Sequence, residues 1–139
     1  MHAEEIVNAY DNALAYTDHV VAATIRFLQA RSARYDSALL YVSDHGESLG
    51  EHGLYLHGMP YAIAPREPTH VPMLVWLSPE FERSAGIDDD CLRGVAGDPA
   101  SHDNLFRSVL GLLDVETSVY RADQDLFSKC RAPLRVAGS

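Results

Sequence analysis

One stretch, "YVSDHGESLGEHGLYLHG" at residues 41–58, gathers Asp44, His45, Glu47, Glu51, His52 and His57 among four glycines. Carboxylate beside imidazole suits a solvated loop, a catalytic acid–base pair or a metal site. Asp44 and His45 follow the apolar run "SALLYVS", so they sit at the carboxyl end of an expected strand. Ligands of open α/β sheets gather in the crevice beyond such ends. Adjacent strand residues point to opposite faces, so both side chains reach one ion only where the chain turns away. Gly46 is the residue expected to permit that turn. A carboxylate oxygen and an imidazole nitrogen suit Zn²⁺ better than Mg²⁺ or Ca²⁺, which prefer shells made of oxygen. A catalytic zinc site needs about three or four protein ligands or nucleophile contacts, so the remainder are expected from elsewhere.

The neighbours of this pair carry several readings each. Glu47 fits a ligand, an acceptor behind a ligand, or a solvated acid near a helix or turn. His57, bounded by Gly58 and Pro60, fits a surface histidine, a contact to a phosphoryl oxygen, or a proton carrier. Glu51 and His52 read as solvated. His70 and His102 stand at element starts as caps or surface groups, and His2 and His19 read as exposed helix residues. Ser43 and Ser48 are nearby hydroxyls outside any G-x-S-x-G elbow.

The elements that must position these groups follow an α/β pattern. Residues 4–31 show apolar spacings of three and four through Val7, Tyr10, Leu14, Val21 and Leu28, which predicts a long helix with one face on a core. The continuous apolar runs 37–43 and 71–78 predict strands covered on both faces, as in a parallel sheet, with Tyr41 and Trp76 in the core. Pro72 is tolerated at a strand start. Between the strands, 44–70 is a long glycine- and proline-rich loop of the kind that carries function. Residues 79–100 read as irregular, with an acidic patch at Asp88–Asp90. Residues 101–115 restore helical spacing through Leu105, Phe106, Val109, Leu110 and Leu113, with Ser101 or Asp103 as the cap. The tail from 116 holds only short apolar groups. Two strands leave apolar faces uncovered, which points to the C-terminal part of a larger α/β domain.

Composition narrows the function classes. The 139 residues carry a formal net charge of −9 and a pI near 5.0, an acidic balance that repels the backbones of nucleic acids. No apolar run approaches the roughly 20 residues of a membrane span. The N-terminus "MHAEEIVNAYDNALAY" has acids where an export signal has basic residues. An anchor or signal is therefore expected on a longer chain. Cys91 and Cys130 lack the close pairing of a zinc ribbon, and fit either one bridge or two unpaired thiols.

"YVSDHGESLGEHGLYLHGMPYAIAP" followed by "THVPMLVWLS" closely resembles the lipid A phosphoethanolamine transferases of Gram-negative bacteria, some of which confer polymyxin resistance. These belong to the alkaline phosphatase and sulfatase superfamily. "NAYDNALAYTDHVVAATIRFL" and "HDNLFRSVLGLLDVETSVY" with a late "CR" extend the resemblance over nearly the whole chain. Ser-Asp-His-Gly alone marks only the superfamily, whereas the extension through Glu47, Gly50, His57, Pro60 and Ala64-Pro65 is far more specific. The resemblance implies an α/β fold, part of a sheet sandwiched by helices. It implies an inner-membrane protein with a periplasmic catalytic domain, Zn²⁺ held in part by Asp44 and His45, and catalytic roles for His57 and Glu47. It also implies phosphatidylethanolamine as donor, lipid A as acceptor and a threonine-bound intermediate. A Cys91–Cys130 bridge becomes plausible because family members carry periplasmic disulfides. The family's anchor, threonine segment and glutamate ligand have no counterpart here. The chain is thus expected to be a C-terminal fragment or truncated product, inactive alone. The competing expectations are a fragment of a sulfatase or phosphoglycerol transferase, and a noncatalytic remnant.

Overall fold

In a computed structural model of the chain, the described residues are 3–50, 53, 55, 56 and 69–132. They fall into two compact units, Met1–Leu77 and Ser78–Ser139.

The first unit opens with helix α1, Ala3–Gln29. Glu4 and Glu5 lie in its first turn and Arg26 in its last, each sign complementing the helix dipole. Thr17 and Thr24 return their hydroxyls to the carbonyls of Ala13 and Val20. Beyond the helix, Arg31 lays its guanidinium 3.5 Å above the Phe27 ring and donates to the Phe27 carbonyl at 2.9 Å. The expected core-facing stripe is only partly realised. Ile6, Tyr10, Val21 and Leu28 are half-buried, Leu14 and Phe27 are exposed, and no residue of α1 is buried.

Strands β1 (Ala38–Val42) and β4 (Met73–Leu77) form one ladder, running from Ala38 opposite Leu77 to Val42 opposite Met73. The pair is antiparallel, which corrects the parallel arrangement expected from the sequence. Continuous apolarity reports what covers a strand, not the direction of its neighbour. The faces are not sealed either: Leu74 and Val75 are exposed, and Tyr41 and Trp76 are half-buried rather than core. Between these strands lies a short hairpin, β2 (Ser48–Leu49) with β3 (Tyr55–Leu56), beside α1. Gly50 has φ 123°, and a Cβ there would stand 3.0–3.1 Å from the Tyr55 ring. Glycine is thus favoured by backbone conformation, and a Cβ would in addition press on the Tyr55 side chain.

The second unit corrects the expectation of irregular chain over 79–100. Two seven-residue helices lie there, α2 (Pro79–Ala85) and α3 (Asp89–Val95). The Ser78 hydroxyl accepts the Phe81 N–H, Pro79 starts the helix, and Gly86 at φ 64° ends it. Asp88 caps α3 by accepting the Cys91 N–H at 2.9 Å. Helix α4 spans Asp103–Leu112. At its start the Ser101 hydroxyl accepts the Asp103 N–H while Asn104 accepts the Ser101 N–H. The tail supplies the core: 3₁₀ turns at Ala122–Gln124 and Ser128–Cys130 bracket Phe127, which is 1% exposed. Cys91 and Cys130 are joined as a disulfide.

Helix α4 grips this tail through small and polar residues. Phe106, Val109 and Leu113 are exposed, while Ser108 and Gly111 are buried. Asn104, Ser108 and Gly111 follow a spacing of four and three, so they share one helix face. Asn104 donates to the Gln124 carbonyl and the Ser108 hydroxyl accepts the Leu126 N–H, each at 3.0 Å. Gly111 leaves room for the Asp125 carboxylate, which accepts the Tyr120 hydroxyl at 2.8 Å and the Phe127 N–H at 2.9 Å. The irregular tail thus finds partners for its backbone groups, as buried peptide requires.

Candidate metal and catalytic site

Asp44 and His45 leave β1 at its carboxyl end, as expected. Their loop is shaped by bonds among near neighbours. The Ser43 hydroxyl donates to the His45 carbonyl at 2.8 Å, and the Asp44 Oδ1 accepts the His45 N–H at 3.0 Å. The His45 Nδ1 lies 3.0 Å from the Gly46 carbonyl oxygen. A carbonyl oxygen can only accept, so this contact favours the neutral tautomer with the proton on Nδ1, which leaves the lone pair on Nε2. Nε2 then lies 3.8 Å from the Asp44 Oδ2. Gly46 contributes its carbonyl and not a left-handed turn: the glycines with positive φ among the described residues are Gly50, Gly53 and Gly86.

This geometry fits a metal pair. Histidine ligands ordinarily donate their second ring nitrogen to a carbonyl or carboxylate, which fixes the tautomer and aims the other nitrogen. Two ligands of one tetrahedral zinc, each about 2.05 Å from it, stand roughly 3.3 Å apart. The observed 3.8 Å needs only a small adjustment of the Asp44 carboxylate, whose side chain is 89% exposed. Glu47 lies behind the ring, its Oε1 4.0 Å from Nδ1, with its side chain only 23% exposed. It faces the nitrogen that carries the proton, so it is placed to act on the histidine rather than to share its ion. Among the described residues no group of three metal-ligating side chains is assembled. His57, Glu51 and His52 lie outside the described residues. Sequence reasoning left Ser43 without a role, and no local signal marks its bond to the loop.

A family model described as Sulfatase matches residues 2–115. The phosphoethanolamine transferase EptA of Escherichia coli (strain K12) is 47% identical over 129 residues, covering 92% of this chain and 24% of that protein. The chain therefore spans about a quarter of the length of this curated relative. The soluble domain of lipooligosaccharide phosphoethanolamine transferase A from Neisseria meningitidis superposes with a TM-score of 0.91 at 44% identity, covering 96% of this chain and 40% of that one. The integral membrane protein of the same name and organism gives a TM-score of 0.90 at 45% identity, covering 96% of this chain and 25% of that one. No described helix is itself long and apolar enough to cross a membrane. With its Asp44–His45 loop inside the matched residues and its α/β fold shared with these domains, the chain belongs to the sulfatase family and has strong homology to phosphoethanolamine transferases.

Proposed function

We propose that this chain supplies the Asp44–His45 half of a zinc site in a phosphoethanolamine transferase of lipid A. The observation that carries the proposal is the His45 ring, held through Nδ1 by the Gly46 carbonyl with Nε2 on the side of the Asp44 carboxylate. Further ligands and a threonine nucleophile come from polypeptide outside this sequence. The protein acts on the periplasmic side of the inner membrane, held by an anchor also outside it.

Zinc held there supplies positive charge to the oxygens of a phosphoryl group and lowers the pKa of a hydroxyl nucleophile. The threonine oxygen attacks the phosphorus of phosphatidylethanolamine, the bond to the glycerol oxygen breaks, and that oxygen takes a proton. A phosphate oxygen of lipid A then attacks the threonine-bound phosphorus and releases the threonine. Splitting the transfer this way replaces one difficult displacement with two. Asp44 and His45 hold the ion. Glu47 keeps the proton on Nδ1, and His57 contacts the phosphoryl group or carries the proton.

The test is a chimera in which this chain replaces the matching quarter of the E. coli EptA chain, assayed by mass spectrometry of lipid A. The chimera is expected to add phosphoethanolamine, and Asp44→Ala or His45→Ala to abolish the addition. A chimera that inserts and folds yet transfers nothing overturns the proposal. The isolated chain is expected to bind zinc only at millimolar levels, as two ligands permit, and to turn over no phosphatidylethanolamine analogue.

A further inference from the structure

The second unit holds an open pocket of about 380 Å³ at the end of α4, lined by Leu110, Asp114, Val115, Glu116, Tyr120 and Arg131 among others. Its size lies in the range of small-ligand sites. Arg131 is the unusual member. Its Nε and Nη2 are shut off from solvent and meet no hydrogen-bond acceptor. Those two nitrogens form the edge of the guanidinium that grips a carboxylate or phosphate with two parallel bonds. Leaving charged donors buried and unmet is costly. The hydroxyls nearby do not relieve them: Tyr120 donates to Asp125, and Ser128 lies against the carbonyls of Ala122 and Asp125 at 2.6 and 2.8 Å.

Charge decides which ligand this edge would take. Asp114 and Glu116 flank the cavity, and the Asp125 carboxylate lies behind Tyr120. Three carboxylates against one guanidinium repel a bare dianion such as free phosphate. A molecule carrying an ammonium beside its oxyanion meets both signs: oxyanion on Arg131, ammonium between Asp114 and Glu116. We propose that this cavity binds a small zwitterion that joins a phosphate or carboxylate to a primary ammonium. Binding turns the Nε–Nη2 edge of Arg131 onto the cavity that the side chain already lines. The site uses none of the residues of the Asp44–His45 loop, and it stands or falls without the transferase proposal.

The experiment is NMR titration of the ¹⁵N-labelled, disulfide-intact chain with O-phosphoethanolamine, glycine, inorganic phosphate and ethanolamine. The first two test phosphate against carboxylate as the oxyanion; the last two each carry one charge alone. Saturable shifts at the amides of residues 111–132 are expected with at least one zwitterion. Phosphate and ethanolamine are each expected to bind about tenfold more weakly or worse. Arg131→Gln should remove the response. Ala122→Leu, which fills the cavity rim and leaves the guanidinium in place, should remove it too in a chain whose remaining spectrum is unchanged. Asp44→Ala/His45→Ala should leave it intact, which separates this site from the metal loop. No saturable shift in the wild type, binding that survives Ala122→Leu, or phosphate binding as tightly as the zwitterions overturns the proposal.

Discussion

Gly111→Ala tests whether α4 is held by the space its glycine leaves. Helix propensity alone favours the substitution by about 1 kcal/mol, because alanine is the better helix former. The structure reverses the sign. A Cβ on Gly111 would collide with the Asp125 Oδ2 and stand 2.8 Å from its Cγ. Asp125 is 5% exposed and is fixed by the Tyr120 hydroxyl and the Phe127 N–H. Moving it costs about 1.5–3 kcal/mol for a hydrogen bond to a charged group, and forcing an extra methyl into a packed site adds about 1–3 kcal/mol. Against the propensity gain, the net loss is about 1.5–5 kcal/mol. Gly94, in α3, is the internal control, since a Cβ there meets nothing within 4 Å. Gly94→Ala should stabilise by about 0.5–1 kcal/mol. Urea unfolding of both variants measures the contrast. Repeating Gly111→Ala in an Asp125→Ala background should recover about 2 kcal/mol or more, because the colliding group is gone. Equal effects at Gly94 and Gly111, or no coupling to Asp125, refute the packing described for the tail.

The Cys91–Cys130 bridge closes a sequence separation of 39 residues, which in the chain-entropy treatment corresponds to about 4 kcal/mol; Cys91→Ser/Cys130→Ser should lose a comparable amount in guanidinium unfolding, and a loss below about 1 kcal/mol contradicts the expectation. Burial, reinforced by the hydrogen bond to Asp125 and the charge on it, raises the Tyr120 pKa above 10.0, while Arg131 opposes the shift. The folded state therefore keeps a proton that the unfolded chain releases. This contribution is fully present below about pH 10 and is lost as pH rises through the folded value. Unfolding measured from about pH 8 to pH 11 should show a falling alkaline limb that Tyr120→Phe flattens, and an unchanged limb removes Tyr120 as its cause.

Long periodic or continuous apolar segments were legible in the sequence. Helix α1 occupies Ala3–Gln29 against the expected 4–31, and β1, β4 and α4 fall inside their expected ranges. The two short helices were not legible by period, because seven residues complete barely two turns. Their punctuation was present all the same: Ser78 with Pro79 at the start of α2, Gly86 at its end, and Asp88 before α3. Strand direction was misread because apolar side chains do not record which way a neighbour runs. Which face of α4 is buried was not legible for a different reason. Its partner is the backbone of an irregular tail, and peptide groups call for Asn104, Ser108 and an open Gly111 where a sheet or helix would call for leucines.

The Asp44–His45 loop was legible as a pair of neighbours at a strand end, and the bonds that shape it explain why. The contacts described above for Asp44 and His45 span at most two residues: Ser43 to the His45 carbonyl, His45 N–H to Asp44, Nδ1 to the Gly46 carbonyl, and Nδ1 to Glu47. Contacts of this kind join near neighbours, so a short motif carries much of the loop's shape. Completeness is a different property. An ion needs ligands that converge from distant parts of a polypeptide, and no local spacing records which segment brings them. A loop prearranged in this way spends little further ordering when the rest of its ligands arrive. The local form of the Asp44–His45 loop can therefore be read from a short stretch, while under the proposed function its zinc affinity would be set by ligands from other segments.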